Sequence, residues 1–178
     1  MIIKPKDIDD VFHLEVEPAG DERGQFARTF CVDELSDAGI DFRVLQTNIS
    51  TNTIAGTLRG MHYQRDPHGE QKIVRCSRGS IFDVAVDIRP GSDTYLQWTS
   101  EILSSKRMNG LYIPAGFAHG FISLTDDCEV TYLMGSTYEA EAGAGLRWDD
   151  PAIQINWPLT PSIMSERDAN WPLVSVGA

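Results

Sequence analysis

The sequence predicts an all-β fold of the sandwich or jelly-roll type. Apolar and alternating runs along the chain are short, and residues that form turns separate them. No long stretch repeats apolar residues at the helical period, which argues against a mainly helical fold. The 178 residues are enough for one hydrophobic core, and no linker interrupts them, so we expect a single domain over residues 1–178.

Many short runs have the length and composition of strands. Proline and glycine within 89–93, and aspartates within 125–127, supply the backbone angles that tight turns require, so each group is expected to connect two strands. Regular spacing of many short strands is typical of a sandwich or jelly roll. The predicted strands are 11–16, 44–51, 56–64, 72–76, 80–88, 97–103, 111–113, 119–124 and 129–134.

Glycines and polar segments refine this pattern. Gly60 and Gly120 lie inside predicted strands, where glycine is typical of a bulge or of two backbones in close approach. One short helix is expected after Asp33, and a second near Ser162 in a tail rich in proline and tryptophan. The helices are therefore expected to be peripheral to the sheets.

The acidic composition limits the partners of the protein. A net charge of -11 and a pI near 4.6 argue against a nucleic-acid partner, because phosphate backbones attract basic proteins. Cys31, Cys76 and Cys128 are odd in number and lack metal-ligand spacing, so we expect neither a disulfide framework nor a zinc site. With no signal-peptide core and no apolar run of membrane-spanning length, we expect a cytoplasmic protein without a membrane partner.

Two histidines and a lysine in apolar runs predict a reactive pocket inside the β fold. His62, His119 and Lys72 would be costly to bury together without a purpose. Taken singly, a strand histidine is more often a hydrogen-bonded core residue, and Arg23 or Arg59 is more often a surface charge. The joint occurrence of these residues favours the pocket.

Strand alternation indicates which further side chains face the interior. Tyr132 shares a strand face with Val130, and Lys72 shares one with Val74. Both polar side chains are therefore expected to point inward.

Several stretches of the chain form a recognisable set. They are LRGMHYQ at 58–64, Lys72, FDVAVDIR at 82–89 with Ser92, IPAGFAHGF at 113–121 and WDDP at 148–151. This set closely resembles the dTDP-4-dehydrorhamnose 3,5-epimerase family, and the match is nearly collinear from about Asp21 to Asp168. The resemblance implies a cupin-type double-stranded β-helix, which is a jelly roll, with short peripheral helices. It also implies a homodimer.

The resemblance further implies an isomerase that needs neither metal nor cofactor. Its substrate would be a nucleotide-diphosphate sugar, a 4-keto-6-deoxyhexose of the dTDP-4-dehydro-6-deoxyglucose type. The enzyme would invert C3, C5 or both, in deoxysugar or polysaccharide biosynthesis such as that of dTDP-rhamnose. The residues alone do not distinguish inversion at one carbon from inversion at two.

Such chemistry needs a base at the C–H bond, a cation at the developing enolate oxygen and an acid on the opposite face. By resemblance the base is His62, paired with Asp168, which would fix the imidazole tautomer. Lys72 matches the residue beside the substrate ketone, and Tyr132 matches the residue that returns the proton. His119 matches a second pocket histidine with a supporting role.

The rest of the ligand needs its own contacts. By resemblance Arg23 and Arg59 contact the diphosphate, whose oxygens suit guanidinium groups. Some of these contacts are expected from the neighbouring subunit of a dimer. The remaining matches are Gln46 and Asn48 near the nucleotide base, and Phe26 and Tyr138 around the nucleoside and sugar.

The chain departs from the family pattern at three positions. Arg28 stands where the family usually has a glutamate near the base, and an arginine cannot accept a hydrogen bond from a base N–H. Glu70 stands where glutamine is frequent, and Leu96 replaces a glycine. We therefore expect an altered nucleotide or sugar preference, with Arg28 among the substrate-binding residues.

Two other classes of function remain open at this stage. Residues 114–119 resemble the second motif of metal-dependent cupins, but the partner motif is missing, because His62 and His68 are six residues apart. The other alternative is a sugar-binding jelly roll without catalysis. Binding alone would not require His62, Lys72, Tyr132 and Asp168 together.

Overall fold

The computed structural model describes residues 1–174 and confirms a nearly all-β jelly roll with short peripheral helices. Its helices are α1 (Val32–Asp37), α2 (Glu166–Ala169) and a 3-10 helix at Ala140–Ala142. Its strands are β1 (Ile2–Pro5), β2 (Phe12–Glu15), β3 (Ala19–Asp21), β4 (Gly24–Phe26), β5 (Gln46–Asn52), β6 (Leu58–Gln64), β7 (Lys72–Arg78), β8 (Ser80–Asp87), β9 (Trp98–Ser104), β10 (Gly110–Ile113), β11 (Phe117–Ser123), β12 (Cys128–Met134) and β13 (Gly143–Gly145).

Two antiparallel sheets form the body of the fold. The six-stranded sheet has the order β1-β2-β10-β7-β12-β5, and the five-stranded sheet has the order β13-β6-β11-β8-β9. Strands β3 and β4 form a separate hairpin that pairs with neither sheet. Within residues 1–174, strand β5 therefore ends the larger sheet, with β12 as its one neighbour.

All the strands that the sequence predicts are present, with ends that differ by a few residues. The sequence did not indicate β1, β3, β4 and β13, which have only three or four residues each and too little alternation to be recognised. Helix α1 lies where a helix was expected, whereas α2 begins at Glu166 and not near Ser162. No helix within residues 1–174 is long and apolar enough to cross a membrane.

The main core lies between the two sheets. Val74 and Val130 of the larger sheet meet Ile81 and Phe121 of the smaller one in a single apolar cluster, against which Tyr132 packs. Lys72 is buried on the same side of the larger sheet as Val74. The inward orientation predicted for Tyr132 and Lys72 is thereby confirmed.

Other segments cover the outer faces of both sheets. Leu35 of α1 packs with Phe42 over the outer face of the six-stranded sheet. Residues of the long C-terminal segment, among them Ile153 and Trp157, cover the outer face of the five-stranded sheet. This segment then continues toward the mouth of the barrel and supplies one wall of the site.

The predicted close approach occurs where β6 meets β11. A Cβ atom on Gly60, whose φ is +154°, would lie 2.6 Å from the Cα atom of Gly120. The register of the two strands also shifts between His119 and Phe121, which is the irregularity expected of a bulge. Both glycines are thus required by packing next to His62 and His119.

His13 is a buried histidine on β2, near the β1 edge of the larger sheet, and its neighbours hold it in one protonation state. The Asn109 amide donates from Nδ2 to the Ile102 carbonyl, and its Oδ1 accepts from the Ser104 N–H, so its orientation is determined. The same Nδ2 donates to Nε2 of His13 at 3.0 Å. His13 must therefore be neutral, with an unprotonated Nε2.

We expect His13 to make folding stability sensitive to acid. Burial lowers the pKa of His13 below 6.5, although Glu101 and Glu15 nearby oppose the shift. Because the folded-state pKa is depressed, the stability is present above pH 6.5 and is lost as the pH falls below it, by up to about 1.4 kcal/mol per pH unit. Urea unfolding of wild type and His13→Gln between pH 7.5 and 5 measures how the free energy of unfolding depends on pH in each protein. Identical pH slopes would contradict the assignment.

Candidate active site

A cavity of about 700 Å³ lies between the two sheets. One wall comes from β5, β7 and β12 of the larger sheet, and the facing wall comes from β6, β11 and β13 of the smaller one. Residues 163–168 of the C-terminal segment close a third side. The cavity therefore collects side chains from distant parts of the chain.

The C-terminal segment is tied to the start of β6 by backbone hydrogen bonds. Ile163 bridges to Thr57, and its carbonyl accepts from the N–H of Leu58 at 2.9 Å. Helix α2 then begins with Ser165 as its N-cap, whose Oγ accepts from the N–H of Asp168 at 3.1 Å. These contacts bring Asp168 beside β6.

His62 and Asp168 form a hydrogen-bonded pair at the cavity wall. Nε2 of His62 lies 2.7 Å from Oδ1 of Asp168, and the N–H of Gly60 donates to Oδ2 at 3.3 Å. Burial alone would raise the pKa of Asp168, but the hydrogen bonds from His62, Gly60 and Ser165 hold it below its usual value. A carboxylate only accepts, so Nε2 carries the proton and Nδ1 is left as the basic nitrogen.

Lys72 occupies the opposite wall as part of a buried ion pair. Its Nζ donates to Oε1 of Glu70 at 2.5 Å, and the side chains are 5% and 10% exposed. Both residues line the cavity. A buried ammonium held by one carboxylate keeps further N–H donors for a ligand oxygen.

A second histidine and acid lie deeper. Nε2 of His119 is 2.8 Å from Oδ1 of Asp83, while Oδ2 of Asp83 is buried without a hydrogen-bond partner among the described residues. Burial raises the pKa of Asp83, and the contact with His119 and the charge of Lys72 offset this only in part. His119 is therefore held in one orientation at the floor of the cavity.

Tyr132 of β12 stands between these groups. Its ring meets the imidazole of His119 edge-on, with centroids 6.1 Å apart and an interplanar angle of 79°. Burial raises the pKa of Tyr132 far above the usual phenol value, and the carboxyl of Asp83 raises it further. Tyr132 is thus a neutral phenol that can donate a proton but is a poor base at neutral pH.

Among the expected ligand contacts, Arg59, Asn48, Tyr138 and His119 line the cavity. Arg59 donates from Nε to Oδ1 of Asn52 at 2.7 Å and from a terminal nitrogen to a backbone carbonyl. Neither partner is charged, and no ion pair of Arg59 occurs within residues 1–174. Its positive charge is therefore available to an anionic ligand.

The other expected contacts lie outside the cavity of a single chain. Arg23 pairs with Asp21 in the β3–β4 hairpin, and Phe26 on the same hairpin is 79% exposed. Arg28 forms an ion pair with Glu34 at 2.7 Å. Gln46 lies at the rim, where its Oε1 accepts from the backbone N–H at position 138. One chain alone thus does not bring these residues to the pocket.

The sequence reasoning missed several residues of the site. Arg167 lines the cavity directly before Asp168, and Glu70 is the partner of Lys72 and not only a departure from a pattern. Asp83 was not assigned, although the predicted strand 80–88 carried acids on one of its two faces. The one available signal for Arg167 and Glu70 was their position in the sequence, next to Asp168 and two residues before Lys72. Tyr63, Ser50 and Met134 also line the cavity without having been named for it.

No group of three or more His, Cys, Asp or Glu side chains in the described part of the chain is arranged to hold a metal ion. The polar groups of the cavity instead form pairs, namely His62 with Asp168, His119 with Asp83, and Lys72 with Glu70. Such an arrangement supplies a base, a neutral acid and a cation around one volume.

Comparisons with known proteins agree with this chemistry. The family model described as dTDP-4-dehydrorhamnose 3,5-epimerase matches residues 5–175. A protein of that name from Sinorhizobium fredii is 46% identical over 154 residues, which are 86% of this chain and 79% of the relative. One from Methanothermobacter thermautotrophicus is 45% identical over 92% of this chain and 89% of the relative.

Solved structures give the same result. A dTDP-4-dehydrorhamnose 3,5-epimerase from Bacillus anthracis, with TDP and PPi bound, superposes with a TM-score of 0.94 at 35% identity, covering 97% of this chain and 99% of the other. The epimerase from Legionella pneumophila, in complex with dTDP-4-keto-L-rhamnose, gives a TM-score of 0.91 at 37% identity, covering 97% and 92%.

Proposed function

The chain belongs to the dTDP-4-dehydrorhamnose 3,5-epimerase family, and on that premise we propose that it epimerises a nucleotide-linked 4-keto-6-deoxyhexose at C3, C5 or both. It is an isomerase of deoxysugar biosynthesis. The observation that carries the proposal is the His62–Asp168 pair facing Lys72 and Tyr132 across one cavity.

The proposed reaction moves one proton off a carbon and another onto it. Nδ1 of His62 takes the proton next to the ketone, the C–H electrons form a C=C bond, and the ketone oxygen becomes an enolate. The ammonium of Lys72 stabilises that oxygen. Tyr132 then donates its proton to the opposite face, and the ketone is restored. Exchange with water returns a proton to the Tyr132 phenolate and removes the proton held by His62. Substrate and product have the same atoms and oxidation state, so no oxidant or reductant takes part.

Inversion requires that the two proton carriers approach from opposite sides. His62 is on β6 of the five-stranded sheet, and Tyr132 is on β12 of the six-stranded sheet. The substrate ring would lie between these walls, with Lys72 on β7 beside its ketone. Asp168 stabilises the imidazolium that forms on His62, as the acid does in hydrolase triads.

We also propose that the active form is a cytoplasmic homodimer. In the described part of the chain, the β3–β4 hairpin pairs with neither sheet, Phe26 on it is largely exposed, and β5 ends its sheet beside the cavity. A neighbouring hairpin docked near that edge would supply Arg23, Phe26 and Arg28 to the ligand. The three free thiols support a reducing compartment.

Solvent-exchange NMR tests the function. In D₂O, we expect deuterium to enter C3, C5 or both of dTDP-4-keto-6-deoxyglucose at catalytic enzyme concentration. The UDP, CDP and GDP analogues test whether Arg28 alters the preference for the nucleotide base. A strong preference for dTDP would contradict an altered preference. Binding without exchange for any of the sugars would favour the sugar-binding alternative, and a stoichiometric transition metal in the active protein would favour the metal-dependent one.

A further inference from the structure

Trp171 lies behind His62, outside the cavity. Its indole meets the imidazole edge-on, with centroids 6.4 Å apart and an interplanar angle of 70°. Trp171 is not a lining residue, and its Nε1 is buried without a hydrogen-bond partner among residues 1–174. The indole therefore contacts the proposed base without lining the cavity.

The place of the indole is fixed by the absence of a side chain at Gly145. Gly145 of β13 is directly paired with His62 of β6. A Cβ atom at Gly145 would lie 2.3 Å from Cε2 and 2.4 Å from Nε1 of Trp171, far inside van der Waals contact. The φ of Gly145 is not in the left-handed region, so its backbone would tolerate any residue. Glycine is needed there for the space that Trp171 fills.

Arg167 covers the indole on another side. Its guanidinium carbon is 4.7 Å from the centroid of the Trp171 ring. Arg167 also lines the cavity and directly precedes Asp168. The indole thus contacts the residue next to the acid, the strand beside the base and the base itself.

These contacts address a geometric need of the pair. The imidazole of His62 is 40% exposed, and its one hydrogen bond within residues 1–174 is to Asp168, so that bond alone would let the ring rotate about it. Asp168 in turn sits on a four-residue helix that needs anchoring after its N-cap. Trp171, three residues after Asp168, packs against both the ring and β13.

We infer that Trp171 is a positioning residue for the base, one that holds the imidazole of His62 on Asp168 with Nδ1 directed at the substrate. The inference rests on the proposed function. Because the indole touches His62 and does not itself line the cavity, we expect it to act mainly on kcat. A misplacement of about 1 Å in a reacting group can cost as much as about a hundredfold in rate.

The test uses Gly145→Ala, which adds one methyl group, with Trp171→Ala, Trp171→Phe and the double variant Gly145→Ala/Trp171→Ala. We expect Gly145→Ala and Trp171→Ala each to lower kcat about tenfold or more with KM little changed. In the double variant the methyl group has room, so kcat should be no lower than in Trp171→Ala alone. Trp171→Phe should retain more activity than Trp171→Ala. Trp157→Phe, a tryptophan change elsewhere on the outer face of the five-stranded sheet, should keep the wild-type kcat.

A second measurement separates positioning from general destabilisation. In ¹⁵N-histidine spectra of the free enzyme, we expect one Nε2-protonated tautomer of His62 in the wild type and a tautomer mixture in folded Trp171→Ala. Unchanged kcat and tautomer in folded variants, additive losses in the double variant, or a rise in KM alone would each overturn the inference. A wild type without exchange activity but with the expected tautomer change would count against the proposed function and leave the positioning role intact.

Discussion

His62→Asn is expected to lower kcat for epimerisation by about a hundredfold or more, the usual contribution of a general base. Asparagine can still donate a hydrogen bond to Asp168, but it has no nitrogen that takes up a proton at neutral pH. The side chain of His62 is 40% exposed to the cavity and outside the apolar core, so the substitution should leave the fold intact. The rate of deuterium incorporation from solvent measures the effect directly.

The chain offers a matched control for this change. His68→Asn makes the same substitution at a histidine that does not line the cavity, and its exchange rate should equal that of the wild type. Circular dichroism and urea unfolding would show that both variants are folded. If His62→Asn incorporated deuterium at near the wild-type rate, His62 would not be the base, and His119 would be the next candidate.

The side chains that point into the site could be predicted because successive residues of a strand alternate between its two faces. That rule placed Lys72 and Tyr132 inside, and each assignment needed only an apolar neighbour two residues away. The same rule does not decide which face of strand 80–88 points inward, since both faces carry apolar residues. Only the packing of β8 between β9 and β11 decides that Asp83 faces the interior, beside His119.

Contacts between distant segments were beyond local patterns. The pairing of His62 with Asp168 came from a family resemblance, because no periodicity relates residues that are 106 positions apart. The contact between Gly145 and Trp171 had no signal at all in one sequence, since the glycine is explained by what fills its missing side chain. Short strands such as β3 and β4 were missed because a hairpin outside both sheets has no buried face to create an alternating pattern.

Lys72→Met is expected to lower kcat by about a hundredfold to a thousandfold, the usual cost of removing one donor from an oxyanion site. Methionine keeps the unbranched shape of the side chain up to Cε but removes the ammonium charge that would stabilise the enolate. The same change leaves the carboxylate of Glu70 buried without its cation, and Asp83 loses a positive neighbour that holds its pKa down. Stability should therefore fall by about 3 kcal/mol, the typical cost of breaking a buried ion pair on one side.

The double variant Lys72→Met/Glu70→Gln separates the two effects. Glutamine removes the stranded charge while keeping the shape of Glu70, so much of the lost stability in urea unfolding should return. The rate should not return, because neither side chain can then stabilise an enolate by charge. Glu70→Gln alone should keep Lys72 and hence most of kcat. If the double variant recovered both stability and rate, Lys72 would be only a structural partner of Glu70. The enolate would then need another cation in the cavity, and Arg59 is a positively charged residue that lines it.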